Sequence, residues 1–122
     1  MDKIETKSQL INFISSGEKK IENFKIGTEH EKFAFKLSDK KPVFYEGENG
    51  ISGLLLKLVN FGWDPIYENN KVIALSRPAK IGGGSITLEP AGQFELSGAM
   101  LNSVHETHDE LLNHKDQISN IT

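Results

Sequence analysis

Between Ser85 and Ser97 the apolar residues Ile86, Leu88, Phe94 and Leu96 share one parity, while Thr87, Glu89, Gln93 and Glu95 share the other. A two-residue period belongs to an extended chain with one face in a core and one in water, because successive strand side chains point to opposite sides. The stretch from Phe24 to Phe35 repeats the arrangement, with Ile26, Thr28, His30 and Lys32 on one side and Gly27, Glu29, Glu31 and Phe33 on the other. The fold must therefore contain a sheet, one face of which carries paired acids. Pro90 and Gly92 fit poorly inside a regular paired strand, so a bulge or bend is expected between Glu89 and Gln93.

The remaining segments supply helices and turns. Thr6 or Ser8 caps a helix whose residues Leu10, Ile11, Phe13 and Ile14 fall on one face and which Ser16-Gly17 ends. Ile51 to Phe61 has the Leu and Val density of a second helix, with Gly62 placed to take the left-handed conformation past its end. Trp63 to Tyr67 and Lys71 to Ser76 flank Glu68-Asn69-Asn70 and read as a hairpin. Leu101, Val104, Leu111, Leu112 and Ile118 recur at helical spacing and define a third helix, running into Thr122 without a stop signal. Residues 36–50 are rich in turn formers and are assigned no element. The expected class is α+β: one domain over residues 1–122, an antiparallel sheet with helices packed on one face.

Composition removes several functions. Fourteen Lys and Arg against seventeen Asp and Glu leave a net charge of −3, so there is no cationic field to attract nucleic acid or anionic lipid. No cysteine is present, which excludes disulfide scaffolds, thiolate zinc sites and cysteine nucleophiles, and makes a reducing compartment, the cytoplasm, the expected location. No apolar run is long enough for a signal peptide or a bilayer span, so no membrane partner is expected. Gly82-Gly83-Gly84-Ser85 lacks the Lys-Ser/Thr of a phosphate loop and precedes a strand, which leaves a hairpin turn. His105, His108 and His114 are spaced for solvated or core-edge roles rather than for zinc, and His30 faces away from its neighbouring acids. Trp63 beside Gly62 reads as a core anchor.

Glutamate is disfavoured in strands, yet Glu29 and Glu31 occupy one extended segment and Glu89 and Glu95 the other. Residues two apart on a strand lie about 6.5 to 7 Å apart, within reach of one hard cation or a neighbouring pair of them. If the two segments neighbour each other, the four carboxylates form a platform whose mutual repulsion Mg²⁺ or Mn²⁺ would relieve. The same alternation also describes any half-solvated antiparallel strand.

The segments KIGTEHEKF (Lys25 to Phe33) and SITLEPAGQFELSG (Ser85 to Gly98) resemble the two signature stretches of glutamate-cysteine ligase of the plant and proteobacterial type. The helix near Leu54, the Trp63 hairpin and the stretch from Leu101 to Leu112 follow in the family's order. The resemblance implies part of a glutamine synthetase-like fold, in which a curved antiparallel sheet holds Mg²⁺ on its acidic face. It implies an ATP-dependent ligation of the glutamate γ-carboxylate to the cysteine amine through an acyl phosphate, the first step of glutathione synthesis. Glutamate, cysteine and ATP are the implied substrates. The family's metal-binding glutamates fall on Glu29, Glu31, Glu89 and Glu95, and Gln93 is a candidate for substrate binding, with an ordinary polar strand residue as the alternative. Ala91 stands where relatives commonly carry Gly.

Family members are several times longer, and with Arg77 its single arginine this chain lacks their basic residues for ATP and substrate. It is therefore read as the N-terminal portion of the ligase, inactive unless completed by the remaining part of the chain or by self-association. Two other readings stand beside it: a related ligase joining glutamate to another amine, and a non-catalytic metal-binding or assembly module.

Overall fold

The computed structural model describes residues 3–122. Helix α1, Lys7–Ser15, starts at Thr6, whose hydroxyl accepts from the Gln9 amide while the Gln9 side chain accepts from the Thr6 amide. This reciprocal cap satisfies two orphan donors of the first turn. The helix buries none of its residues: the expected apolar face of Leu10, Ile11, Phe13 and Ile14 lies about half exposed or more.

Strand β1 is Glu29–Lys32, shorter than its periodicity suggests. Ile21–Asn23 forms a 3-10 turn, Ile26 makes an isolated bridge with Leu101, and Phe35 makes another with Pro42. Residues 36–50 turn back from that second bridge and hook onto helix α2, Ile51–Leu58, through bonds from the Ile51 and Ser52 amides to the carbonyls of Phe44 and Tyr45. Gly53 permits this contact, since a Cβ there would lie 2.0 Å from the Glu48 carbonyl oxygen. The helix tightens into a 3-10 turn, Val59–Phe61, and ends at Gly62 with φ 85°, as the sequence suggests.

Strands β2 (Asp64–Glu68) and β3 (Lys71–Ser76) form the expected hairpin, with Asn69 and Asn70 at positive φ and a bulge at Ile66/Tyr67. Strands β4 (Ser85–Glu89) and β5 (Gln93–Ser97) are two strands, not one bent strand. Pro90–Gly92 is a tight reversing turn, with Ala91 at φ 64°, ψ 19° and Gly92 at φ 72°. Helix α3, Val104–Ile121, opens on a second capping box between Ser103 and Glu106.

All pairings are antiparallel and the sheet order is β1-β5-β4-β3-β2. Leu75, Ile86 and Leu96 stand in one cross-strand row on the face that α2 and α3 cover, joined in the core by Leu55, Leu58, Trp63 and Phe94. A fully buried aliphatic side chain contributes about 1.5–3 kcal/mol, so this row anchors the sheet. On α3 the buried residues are Thr107, His114 and Gln117, whereas Val104 and Leu112 of the expected apolar stripe are exposed. Gln117 tolerates burial because its Oε1 accepts the Trp63 indole N–H at 2.9 Å. The histidine expectation holds for exposed His105 and His108 and fails for His114, which is 2% exposed. The α+β class with an antiparallel sheet is as the sequence indicates.

Candidate functional site

Register decides what the sheet presents on the side away from α2 and α3. Opposed residues of an antiparallel pair project to the same face, with Cβ atoms about 4.5–5.5 Å apart. Glu31 lies opposite Glu95, and Glu95 lies opposite Thr87 on its other side. Glu29 lies opposite Ser97, and Ser97 opposite Ser85. Glu89 lies opposite Gln93, two residues from Glu95 along the strand. All five residues singled out from the sequence therefore share one face of three adjacent strands. The three-residue turn makes this possible: a loop of that length returns β5 beside β4 with Glu89 and Gln93 in register.

The acids act on one another. The Glu89 carboxyl is pushed above the ordinary carboxylate range, chiefly by the hydrogen-bonding influence and the charge of the nearby Glu95 carboxyl. Burial and the charges of Glu31 and Glu29 push it the same way. Among the described residues no lysine or arginine ion-pairs with any of the four. Ser97, on the same face, donates its hydroxyl to Glu95 Oε1 at 2.8 Å and so fixes one carboxylate oxygen. Sequence reasoning stopped at Glu95 and missed Ser97, although its parity places it in the same row.

His30 and Lys32 point to the opposite, helix-covered side, as their parity requires, with His30 opposite Leu96. The single arginine is held elsewhere: the Arg77 guanidinium stacks on Trp63, 4.0 Å from the ring centroid, and donates to the Phe61 carbonyl at 3.0 Å. The three glycines 82–84 all have positive φ and connect antiparallel β3 to β4, the turn that the sequence suggests.

The donor set is four carboxylates, one amide and three hydroxyls, the hard oxygen ligands that suit Mg²⁺ or Mn²⁺. Among the described residues no three His, Asp or Glu side chains converge tightly enough to hold an ion as they stand. That spread is compatible with Mg²⁺, which keeps several waters and commonly takes only one or two protein carboxylates. Uncompensated like charges at this spacing also push one another apart.

A profile of glutamate-cysteine ligase family 2 matches residues 25–122. The chain belongs to this family. Over 113 residues it is 45% identical to glutamate–cysteine ligase A, chloroplastic, of Oryza sativa subsp. japonica. The match covers 93% of this chain and 22% of that protein. It is 45% identical over 114 residues to the chloroplastic ligase of Medicago truncatula, and 41% identical over 114 residues to that of Arabidopsis thaliana. The chain thus spans about a fifth of the length of these relatives. Their names place those proteins in chloroplasts, which overturns the cytoplasmic location expected from the sequence. The expectation failed because absent cysteine argues against an oxidising compartment without telling one reducing compartment from another. No helix among the described residues is long and apolar enough to cross a membrane.

Proposed function

We propose that this chain contributes the cation-holding face of an ATP- and Mg²⁺-dependent ligase that joins the γ-carboxylate of glutamate to the amine of cysteine. The observation that carries the reading is the placement of Glu29, Glu31, Glu89 and Glu95 on one sheet face, where Glu95 is the main cause of a raised Glu89 carboxyl. Family membership and the antiparallel sheet also support part of a glutamine synthetase-like fold.

In the proposed reaction a γ-carboxylate oxygen of glutamate attacks the γ-phosphorus of ATP and ADP leaves. The cysteine amine then attacks the acyl carbon, loses a proton, and phosphate departs. Bound Mg²⁺ would neutralise charge where phosphate and carboxylate meet and hold donor and acceptor in line. Glu31 and Glu95, directly opposed, would grip one side of that charge, and Glu89 and Glu29 would flank it. Ser97 restricts Glu95 to one orientation, and Gln93 offers an amide to the substrate beside Glu89. ATP-binding cations and the choice of acceptor amine would come from the rest of the ligase.

The test replaces the matching fifth of the rice ligase A with this chain and assays γ-glutamylcysteine formation. The chimera is expected to ligate glutamate to cysteine with ATP and Mg²⁺, and Glu95→Gln to lower kcat/KM by about a hundredfold or more, the scale of a lost group stabilising transition-state charge. A chimera that folds yet prefers another amine would assign the chain to a related ligase. Full activity in the Glu95→Gln protein would refute the reading.

A further inference from the structure

Strand β1 carries two of the four acids, yet it is four residues long and its ladder bonds run to β5 alone. Segments with few bonds open most readily, so the distance from Glu29 and Glu31 to Glu95 depends on contacts beyond the ladder. Those contacts lie just outside the two strands. Gly98, which follows β5, donates its amide to the Thr28 carbonyl at 2.7 Å, and Ile26 and Leu101 exchange backbone bonds at 2.8 Å. Helix α3 reaches this junction through Glu110, whose Oε1 accepts the Ala99 amide at 2.8 Å. Glu110 Oε2 is buried without a hydrogen-bond partner among the described residues, and so is Thr28 Oγ1. Both atoms press on Gly98: a Cβ there would strike Glu110 Oε2 and lie 3.0 Å from Thr28 Oγ1. Gly98 is not at positive φ, so its missing side chain serves space and not backbone conformation. A half-buried carboxylate bonded to a main-chain amide is a stronger and more directional hold on a loop than a neutral acceptor would be.

We infer that Glu110 is a positioning residue for the acidic face: from α3 it fixes Gly98 and Ala99 against Thr28, and so sets how far Glu29 and Glu31 stand from Glu95. Ser97 carries the effect across the sheet, because it directly precedes Gly98, lies opposite Glu29 and donates its hydroxyl to Glu95 Oε1. Glu110 itself never touches a cation on the outer face, since it approaches the sheet from the helix-covered side. What the separation is for rests on the proposed cation-holding role; how it is set depends on the fold alone. Glu110 has one competing role, as a counter-charge that favours the charged form of the half-buried Arg77 guanidinium. The two residues form no ion pair, so that role needs the charge and not the bond to Ala99.

The experiment measures amide hydrogen exchange, and Mn²⁺ binding by calorimetry, in the 122-residue chain and its Glu110→Ala, Glu110→Gln and Gly98→Ala variants. Glutamine removes the charge and keeps an oxygen for the Ala99 amide, whereas alanine at 98 keeps the charge and displaces the carboxylate. Glu110→Ala and Gly98→Ala are expected to speed exchange of the Gly98 amide and the β1–β5 ladder about tenfold or more while the β2–β3 hairpin is unchanged. The same two variants should raise the Mn²⁺ dissociation constant about tenfold or more, the scale on which supports behind metal ligands act. Glu110→Gln should recover most of both losses. Should Gly98→Ala fail to fold, the two Glu110 variants carry the comparison. Equal acceleration over β2–β3 and β1–β5 would make Glu110 a general stabiliser and overturn the inference. Glu110→Gln as damaging as Glu110→Ala would assign the effect to charge and overturn it too. If the wild-type chain takes up no Mn²⁺, the cation reading fails and exchange alone decides: an unchanged β1–β5 ladder in Glu110→Ala rejects the positioning role, and a selectively loosened one upholds it.

Discussion

Replacing His114 with leucine should flatten the stability of this protein between pH 7 and pH 4.5. The imidazole is 2% exposed, neither ring nitrogen has a hydrogen-bond partner among the described residues, and burial pushes its pKa down to about 4 from an ordinary 6.5. The nearby charges of Lys32, His30 and Arg77 add to that depression. Above pH 6.5 the ring is neutral in both folded and unfolded chains, so it contributes no pH dependence. Below that value the unfolded chain takes up a proton that the folded chain refuses until about pH 4, and stability is lost through this window. The full separation of the two pKa values corresponds to about 3 kcal/mol or slightly more, of which roughly 2–3 kcal/mol is lost between pH 7 and pH 4.5. Guanidinium unfolding followed by the fluorescence of Trp63, the single tryptophan, measures the difference directly. Carboxylates titrating in the same range are common to both proteins and cancel. Relative to His114→Leu, the wild-type chain should lose about 2–3 kcal/mol between pH 7 and pH 4.5. Parallel curves for the two proteins would show that His114 does not titrate as its burial requires.

Three further outcomes are expected. Ala91→Gly should stabilise the fold by about 1 kcal/mol in denaturant titration, because alanine at φ 64° carries a left-handed penalty that glycine lacks. Glu89→Gln should stabilise the metal-free chain at neutral pH: a carboxyl raised above its unfolded value opposes folding once ionised, and the advantage should vanish as pH falls through the raised value. With saturating Mg²⁺ the order of the two proteins should reverse in a thermal shift. Ser97→Ala should weaken Mn²⁺ affinity measured by calorimetry, and Ser97→Thr should restore most of it, since only the hydroxyl reaches Glu95 Oε1.

The acidic face was legible because parity along a strand is unambiguous: Glu29, Glu31, Glu89 and Glu95 had to point away from Leu96 and Ile86 once their segments were extended. What parity alone leaves open is which strands are neighbours, and the β1–β5 and β4–β5 pairings supply it. The Pro90–Gly92 reversal escaped the sequence reading because Ala91, a residue not expected at positive φ, occupies its left-handed position. Helical period gave α1 an apolar side but no partner to bury it against. On α3 the inward face is set by polar bonds that hydropathy scores as unfavourable, Trp63 to Gln117 and the Ala99 amide to Glu110. Residues 36–50 take their shape from backbone bonds into α2 and from the Tyr45 hydroxyl donating to the Val72 carbonyl at 2.7 Å, contacts with no local signature.

Anomalous diffraction from crystals of the chain soaked in Mn²⁺ locates the cation without assuming any ligand. A peak over the outer face of β1, β5 and β4, within bonding distance of oxygens from Glu31, Glu95 or Glu89, is the expected result. A structure in which manganese occupies other sites while those carboxylates stay uncoordinated would contradict the assignment of this sheet face to divalent cations.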